Sequence, residues 1–77
     1  MKYFLIYWHQ KPGRLSGCDL VYASDKRQAR KIYQQYHYSP IDKIISRNEA
    51  PELFEGITSR EFLKARRTGI CDLEAGT

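Results

Sequence analysis

The sequence predicts a small α+β domain, with a three-stranded mixed sheet of order 2-1-3, one helix packed on a face and a helical segment near the C-terminus. Three observations lead there. The run from Lys2 to His9 consists almost wholly of β-formers, Asp25 with Gln28 opens an amphipathic helix, and the isoleucine-rich run Ile41 to Ser46 is cut off from that helix by Pro40.

The elements follow in chain order. Tyr3 to Trp8 is aromatic or apolar at every position, which marks a strand covered on both faces. Residues 10 to 17 carry Pro12, Gly13 and Gly17 and read as a loop turning the chain back. Cys18 to Ala23 is then a second strand of an antiparallel hairpin. Asp25 caps the following helix, whose buried stripe is predicted to be Ala29, Ile32, Tyr33 and Tyr36, with Lys26, Arg27, Arg30 and Lys31 on the opposite arc. Pro40 ends it, because the residue before a proline disfavours helical backbone. After the third strand, Pro51-Glu52 suits one or two helical turns stopping at Gly56. Thr58 with Glu61 makes a capping box for a helix to about Arg67, terminated at Gly69. Residues 70–77 read as a tail.

Strand two, the helix and strand three form a crossover unit, so strand three should lie parallel to strand two. The hairpin puts strand one between them. Asp19 in strand two and Asp42 and Lys43 in strand three suit edge positions. One helix covers one face of such a sheet. Leu53, Phe54, Ile57, Phe62 and Leu63 are the residues available to cover the other, and an uncovered face would expose an aromatic patch suited to a homodimer contact. The division is a single domain, 1–77, with a 1–46 core, a 47–69 helical segment and a 70–77 tail.

With 77 residues there is room for one hydrophobic core. Thirteen Lys and Arg against nine Asp and Glu leave a net charge of +4, which attracts acidic partners at long range. No apolar run approaches the roughly 20 residues of a membrane span, so no membrane contact and a cytoplasmic location are expected. Cys18 and Cys71 match no closely spaced pair and are expected as thiols, with a bridge between them left open.

Motifs that carry chemistry are sparse. His9, Cys18 and Asp19 form a conceivable nucleophilic group at the hairpin rim, but a thiolate also needs an oxyanion hole and a cleft. His9, Cys18, His37 and Cys71 are the right types for zinc, yet none comes as a closely spaced pair. No phosphate loop, HExxH or GxSxG motif occurs. No catalytic residue, cofactor or metal is expected.

Basic residues say more. Arg60, Lys64 and Arg67 fall within about 60° on the last helix, a stripe opposite Phe62 and Leu63. Together with Lys11 and Arg14 on the loop and Lys26, Arg27, Arg30 and Lys31 on the first helix, they are the candidate contacts for phosphates or an acidic protein surface. Tyr3, Tyr7 and Tyr22 are the aromatic surface candidates, equally suited to core packing or to stacking on bases.

The strand, loop and second strand ending Val21-Tyr22-Ala23-Ser24, the helix with Gln28-Ala29-Arg30-Lys31 and the isoleucine-rich strand resemble many small orphan proteins of phages and mobile elements, some anti-CRISPR proteins among them. The resemblance covers residues 2 to 46. It implies a non-enzymatic role in which a surface blocks or bridges a larger host machine, and it transfers no site residue. The leading expectation is therefore a small inhibitor or modulator of a protein complex that handles nucleic acid. The alternatives are a regulator binding DNA or RNA directly through the basic helix face of Arg60, Lys64 and Arg67 and, more distantly, a thiol enzyme using Cys18.

Overall fold

The computed structural model describes residues 1–10 and 16–73. Four strands, β1 (Lys2–His9), β2 (Ser16–Ala23), β3 (Ile41–Ser46) and β4 (Ile70–Leu73), are joined with two helices, α1 (Lys26–Tyr36) and α2 (Ser59–Thr68), and a 3-10 turn at Pro51–Phe54. The sheet order is β3-β1-β2-β4 and each neighbouring pair is antiparallel. The fold is α+β, but the expected three-stranded mixed sheet is corrected to a four-stranded antiparallel one.

The correction comes from the C-terminal residues. Gly69 adopts φ 93°, a left-handed conformation that glycine reaches without a Cβ penalty, and caps α2 with its N–H donating to Ala65. Its carbonyl then accepts from Tyr22 N at 3.0 Å, which delivers Ile70 opposite Val21 and Cys71 opposite Leu20. So residues 70–73 are a strand and not a tail, and the remaining tail residues 74–77 lie outside the described residues. As a result β2 is interior rather than an edge, which puts Asp19 in the middle of the sheet.

The strand alternation builds two cores. Phe4, Ile6, Val21, Ala23 and Ile70 point to the α1 side and pack with Ala29 and Tyr33. Leu5, Cys18, Leu20 and Cys71 point to the other side and pack with Phe54 and Ala65. Ile57 and Phe62 join this second layer, so the C-terminal third covers that face and the condition set for a dimer through it is not met among the described residues. Two of the five expected covering residues, Leu53 at 42% and Leu63 at 53% exposure, stay in solvent.

Local signals act largely as the side chains require. Asp25 Oδ1 accepts from Gln28 N at 2.8 Å, while Gln28 Oε1 accepts from Ser24 N, one residue earlier than the expected cap. Thr58 and Glu61 complete a reciprocal capping box, Thr58 N donating to Glu61 Oε1 at 2.8 Å and Glu61 N to Thr58 Oγ1 at 3.2 Å. Tyr36, the last residue of α1, departs from its expected place in the buried stripe: it is 57% exposed. Gly17 also moves from loop to strand. It pairs with Trp8, and a Cβ built there would lie 2.2 Å from the Trp8 indole. Only glycine lets that ring lie across β2.

Candidate functional site

The two helices lie on opposite faces of the sheet, so the predicted basic residues form two separate surfaces. On α1, Lys26, Arg27, Arg30 and Lys31 are all exposed, and the helix contains no carboxylate. Lys26 Nζ pairs with Glu49 Oε1 at 2.7 Å. The Lys26 ammonium and the contacts from Ser46 bring the Glu49 carboxyl down to about 2. Arg27, Arg30 and Lys31 have no carboxylate partner among the described residues. Lys26, Arg27 and Arg30 line an open groove against Ile44 of β3.

This arrangement works against the helix dipole, offset in part by the Asp25 carboxylate at the N-cap and by the Lys26–Glu49 pair. No acidic residue occupies the first turn of α1, where the peptide dipoles present positive charge and a cation costs about 0.3–1 kcal/mol. Such local conflict is expected where a surface serves something other than stability.

On α2, Arg60, Lys64 and Arg67 are exposed as expected. Leu63 is not opposite them. It lies between Arg60 and Arg67 at the i+3 and i+4 spacing of one exposed row, while Phe62 and Ala65 face the sheet. Lys11 and Arg14 lie outside the described residues.

The three candidate tyrosines are half-buried on the α2 side. Tyr3 packs against Tyr22 and Phe62 with ring centroids 4.8 Å apart in each case, and Arg47 lies 4.9 Å over the Phe62 ring. Tyr7 is two side-chain positions further along the same face, past Leu5, beneath Lys43 Nζ at 5.0 Å. Tyr3 and Tyr22 are therefore brought together, packed at a 48° tilt on each other, with Tyr3 edge-on to Phe62 at 75°.

A buried acidic centre lies on the α1 side. Asp19 has no exposed surface, sits in register with Asp72 across the β2–β4 pair, and has His37 Nε2 2.9 Å from its Oδ2. The His37 ring is stacked between Trp8, 6.0 Å away at 20°, and Tyr33, 5.1 Å away at 23°. Both Asp19 oxygens and Trp8 Nε1 are buried with no hydrogen-bond partner among the described residues, and the groups facing the Asp19 carboxyl are the His37 ring and Asp72. Burial first, and the facing Asp72 second, raise the Asp19 carboxyl to about 7. A second His–Asp contact, His9 Nδ1 to Asp42 Oδ1 at 2.5 Å, forms at the bulge between β1 and β3.

The conceivable Cys18, His9 and Asp19 group does not assemble. Cys18 belongs to the α2-side core and Asp19, one residue on, to the opposite face. Burial, then the Asp19 charge, push the Cys18 thiol up to about 12, which disfavours a thiolate near neutral pH. Cys18 and Cys71 are both buried and free. The described residues contain no group of three or more His, Cys, Asp or Glu that could hold a metal ion, and no helix long and apolar enough to cross a membrane.

Sequence reasoning did not single out Tyr38, placed Tyr36 in the buried stripe and weighed His37 only as a zinc-type residue. Tyr38 is wholly exposed, Tyr36 is mostly so, and His37 between them turns inward. The signal was the His37-Tyr38-Ser39-Pro40 run directly after the helix end, where adjacent residues of extended chain face opposite ways. No protein family model, curated protein or solved structure matches this chain.

Proposed function

We propose that the protein is a non-enzymatic binding module that contacts nucleic acid through the outer face of α1. One observation carries this reading: Lys26, Arg27, Arg30 and Lys31 stand exposed within six residues on a helix with no carboxylate, and three of the four lack a carboxylate partner among the described residues. Phosphates are the polyanion for which such a spacing of forked and point charges is suited. A protein of this kind regulates or blocks an assembly by occupying the nucleic acid, which needs no catalytic group.

The test is fluorescence anisotropy with a labelled oligonucleotide. Binding by α1 predicts that affinity falls with salt, with a log–log slope of roughly −2 to −3 for three or four single-strand phosphates. Arg27→Glu with Arg30→Glu should remove binding, whereas Arg60→Glu with Arg67→Glu should reduce it modestly. No anisotropy change at low salt would overturn the proposal.

A second reading, a protein partner on the opposite face, is favoured by the Arg60-Leu63-Arg67 row, where an exposed leucine lies between two cations. It supports the expected role as a surface-blocking modulator of a nucleic-acid-handling complex. A partner held in moderate salt should then be lost with Leu63→Glu and kept with Arg30→Glu. Loss with neither variant would remove this reading.

A further inference from the structure

We propose that the outer face of α2 docks an acidic protein segment, one that sets carboxylates around an apolar side chain and lays that side chain on Leu63. The inference rests on the second reading above, a protein partner at the Arg60-Leu63-Arg67 row, and adds the chemistry of that partner.

Helix geometry makes Leu63 the centre of the face. On a helix surface the neighbours of a residue lie three and four positions away on either side. For Leu63 those positions are Ser59, Arg60, Arg66 and Arg67, so three of its four neighbours are arginines. All four are exposed, and Leu63 itself is 53% exposed. The backbone of α2 alone thus sets a leucine within a ring of guanidinium groups.

No carboxylate answers these cations. Arg60, Lys64, Arg66 and Arg67 have no salt-bridge partner among the described residues. Glu61, the one carboxylate on α2, turns back to the cap, where its Oε1 accepts from Thr58 N at 2.8 Å and from the Thr58 hydroxyl at 3.0 Å. Arg66 and Arg67 sit in the last turn, where the peptide dipole favours cations, but Arg60 and Lys64 have no such support. Lys64 follows Arg60 by four positions and precedes Arg67 by three, and like charges at those spacings weaken a helix. A further cation stands on the same side of the sheet: Arg47 lies 4.9 Å over the ring of Phe62, whose neighbour four positions on is Arg66. Uncompensated charge of one sign calls for the opposite sign in the occupant.

Leu63 decides which kind of acidic partner fits. Arginine forks suit phosphates and carboxylates alike, but a phosphate backbone laid over this face would set hydrated charge on an exposed leucine. A peptide offers an apolar side chain among its carboxylates, and so takes Leu63 out of water while it pairs the arginines. A lipid surface is a poorer match, because Phe62 and Ala65 turn the apolar stripe of α2 to the sheet and leave one leucine outside.

Selection from a phage-displayed library of random linear peptides, followed by fluorescence anisotropy of the recovered peptides, tests the inference. Enriched peptides should carry two or more Asp or Glu within four residues of a Leu, Ile, Met or Phe. Their affinity should fall roughly ten-fold with Leu63→Ala and roughly ten- to a hundred-fold with Arg66→Gln/Arg67→Gln, and should be unchanged by Arg27→Gln/Arg30→Gln on α1. Any binding of labelled dT20 should instead follow Arg27 and Arg30 and ignore Leu63. Peptides that need Leu63 but show no acidic bias, or acidic peptides that bind without needing it, overturn the inference and leave the protein-partner reading standing. Recovery of no peptide sensitive to Leu63→Ala or to Arg66→Gln/Arg67→Gln overturns both. Binding of dT20 that is abolished by Arg66→Gln/Arg67→Gln would make the face a phosphate site and overturn both as well.

Discussion

His37 Nε2 lies 2.9 Å from Oδ2 of a completely buried Asp19, and this single contact joins the C-terminal end of α1 to the middle of the sheet. Asp72 faces the same carboxylate from β4, Trp8 of β1 and Tyr33 of α1 enclose the imidazole, and Cys18 and Cys71 lie across the sheet. Four elements therefore depend on the protonation of one cluster.

Stability should fall as pH rises from about 4 to about 7. The Asp19 carboxyl is raised by burial and then by Asp72, so the native state holds its proton more tightly than the unfolded chain, whose Asp titrates near 4. The contribution is complete below the unfolded value and lost as pH climbs through the folded one, the reverse of an ordinary salt-bridged Asp. Asp19→Asn keeps the shape without the charge and should flatten the profile across this window, by on the order of 3 kcal/mol. Urea unfolding at pH 4.5 and pH 8 measures it. A wild-type profile that rises with pH and is unaffected by Asp19→Asn would refute the assignment.

Gly17→Ala should destabilise the protein by roughly 1–3 kcal/mol, because its methyl would occupy the space of the Trp8 ring, 2.2 Å from the nearest ring carbon. Trp8 is the sole tryptophan, so its emission should shift toward that of a solvated indole. Gly56→Ala, with nothing within 4 Å, is the control and should leave emission unchanged.

Both thiols should react slowly in the native protein. Cys18 is pushed up to about 12 and Cys71 is also raised, each chiefly by burial. Ellman's reagent at pH 7.5 should label neither within minutes and both once the chain is unfolded. Fast labelling of native Cys18 would contradict the placement of its side chain in the α2-side core.

Thr58→Ala removes the acceptor for Glu61 N and should cost about 1 kcal/mol, or about 4–8 °C in Tm for a domain of this size. Thr58→Ser retains the hydroxyl and should recover most of the loss. An equal loss for both variants would show that the cap hydrogen bond is not the cause.

Much of the local structure was legible because neighbouring residues decide it. The bounds of β1 and β3, the Asp25 and Thr58 caps and the Gly69 stop all follow from side chains within four positions of the feature they set. The β4 strand was not. Ile70 to Leu73 is too short to announce itself, and only the left-handed turn at Gly69 and the open edge of β2 make a strand of it. Leu63 was misplaced for a related reason: helical spacing fixes which residues share a face, but the contact with Phe54 and Ala65 decides which face is covered.

The sequence by itself determined the α+β class, the two amphipathic helices and the strand that is apolar on both sides, since all three are written in periodicity and capping chemistry. Tertiary structure alone decided that α1 and α2 carry their cations on opposite sides, that Asp19 is interior and meets His37 and Asp72, and that Tyr36 and Tyr38 stand in solvent. Those outcomes depend on pairings between residues 18 or more positions apart, such as Asp19 with His37 and Asp19 with Asp72. Such pairings arise only when the sheet order sets which distant side chains share a face.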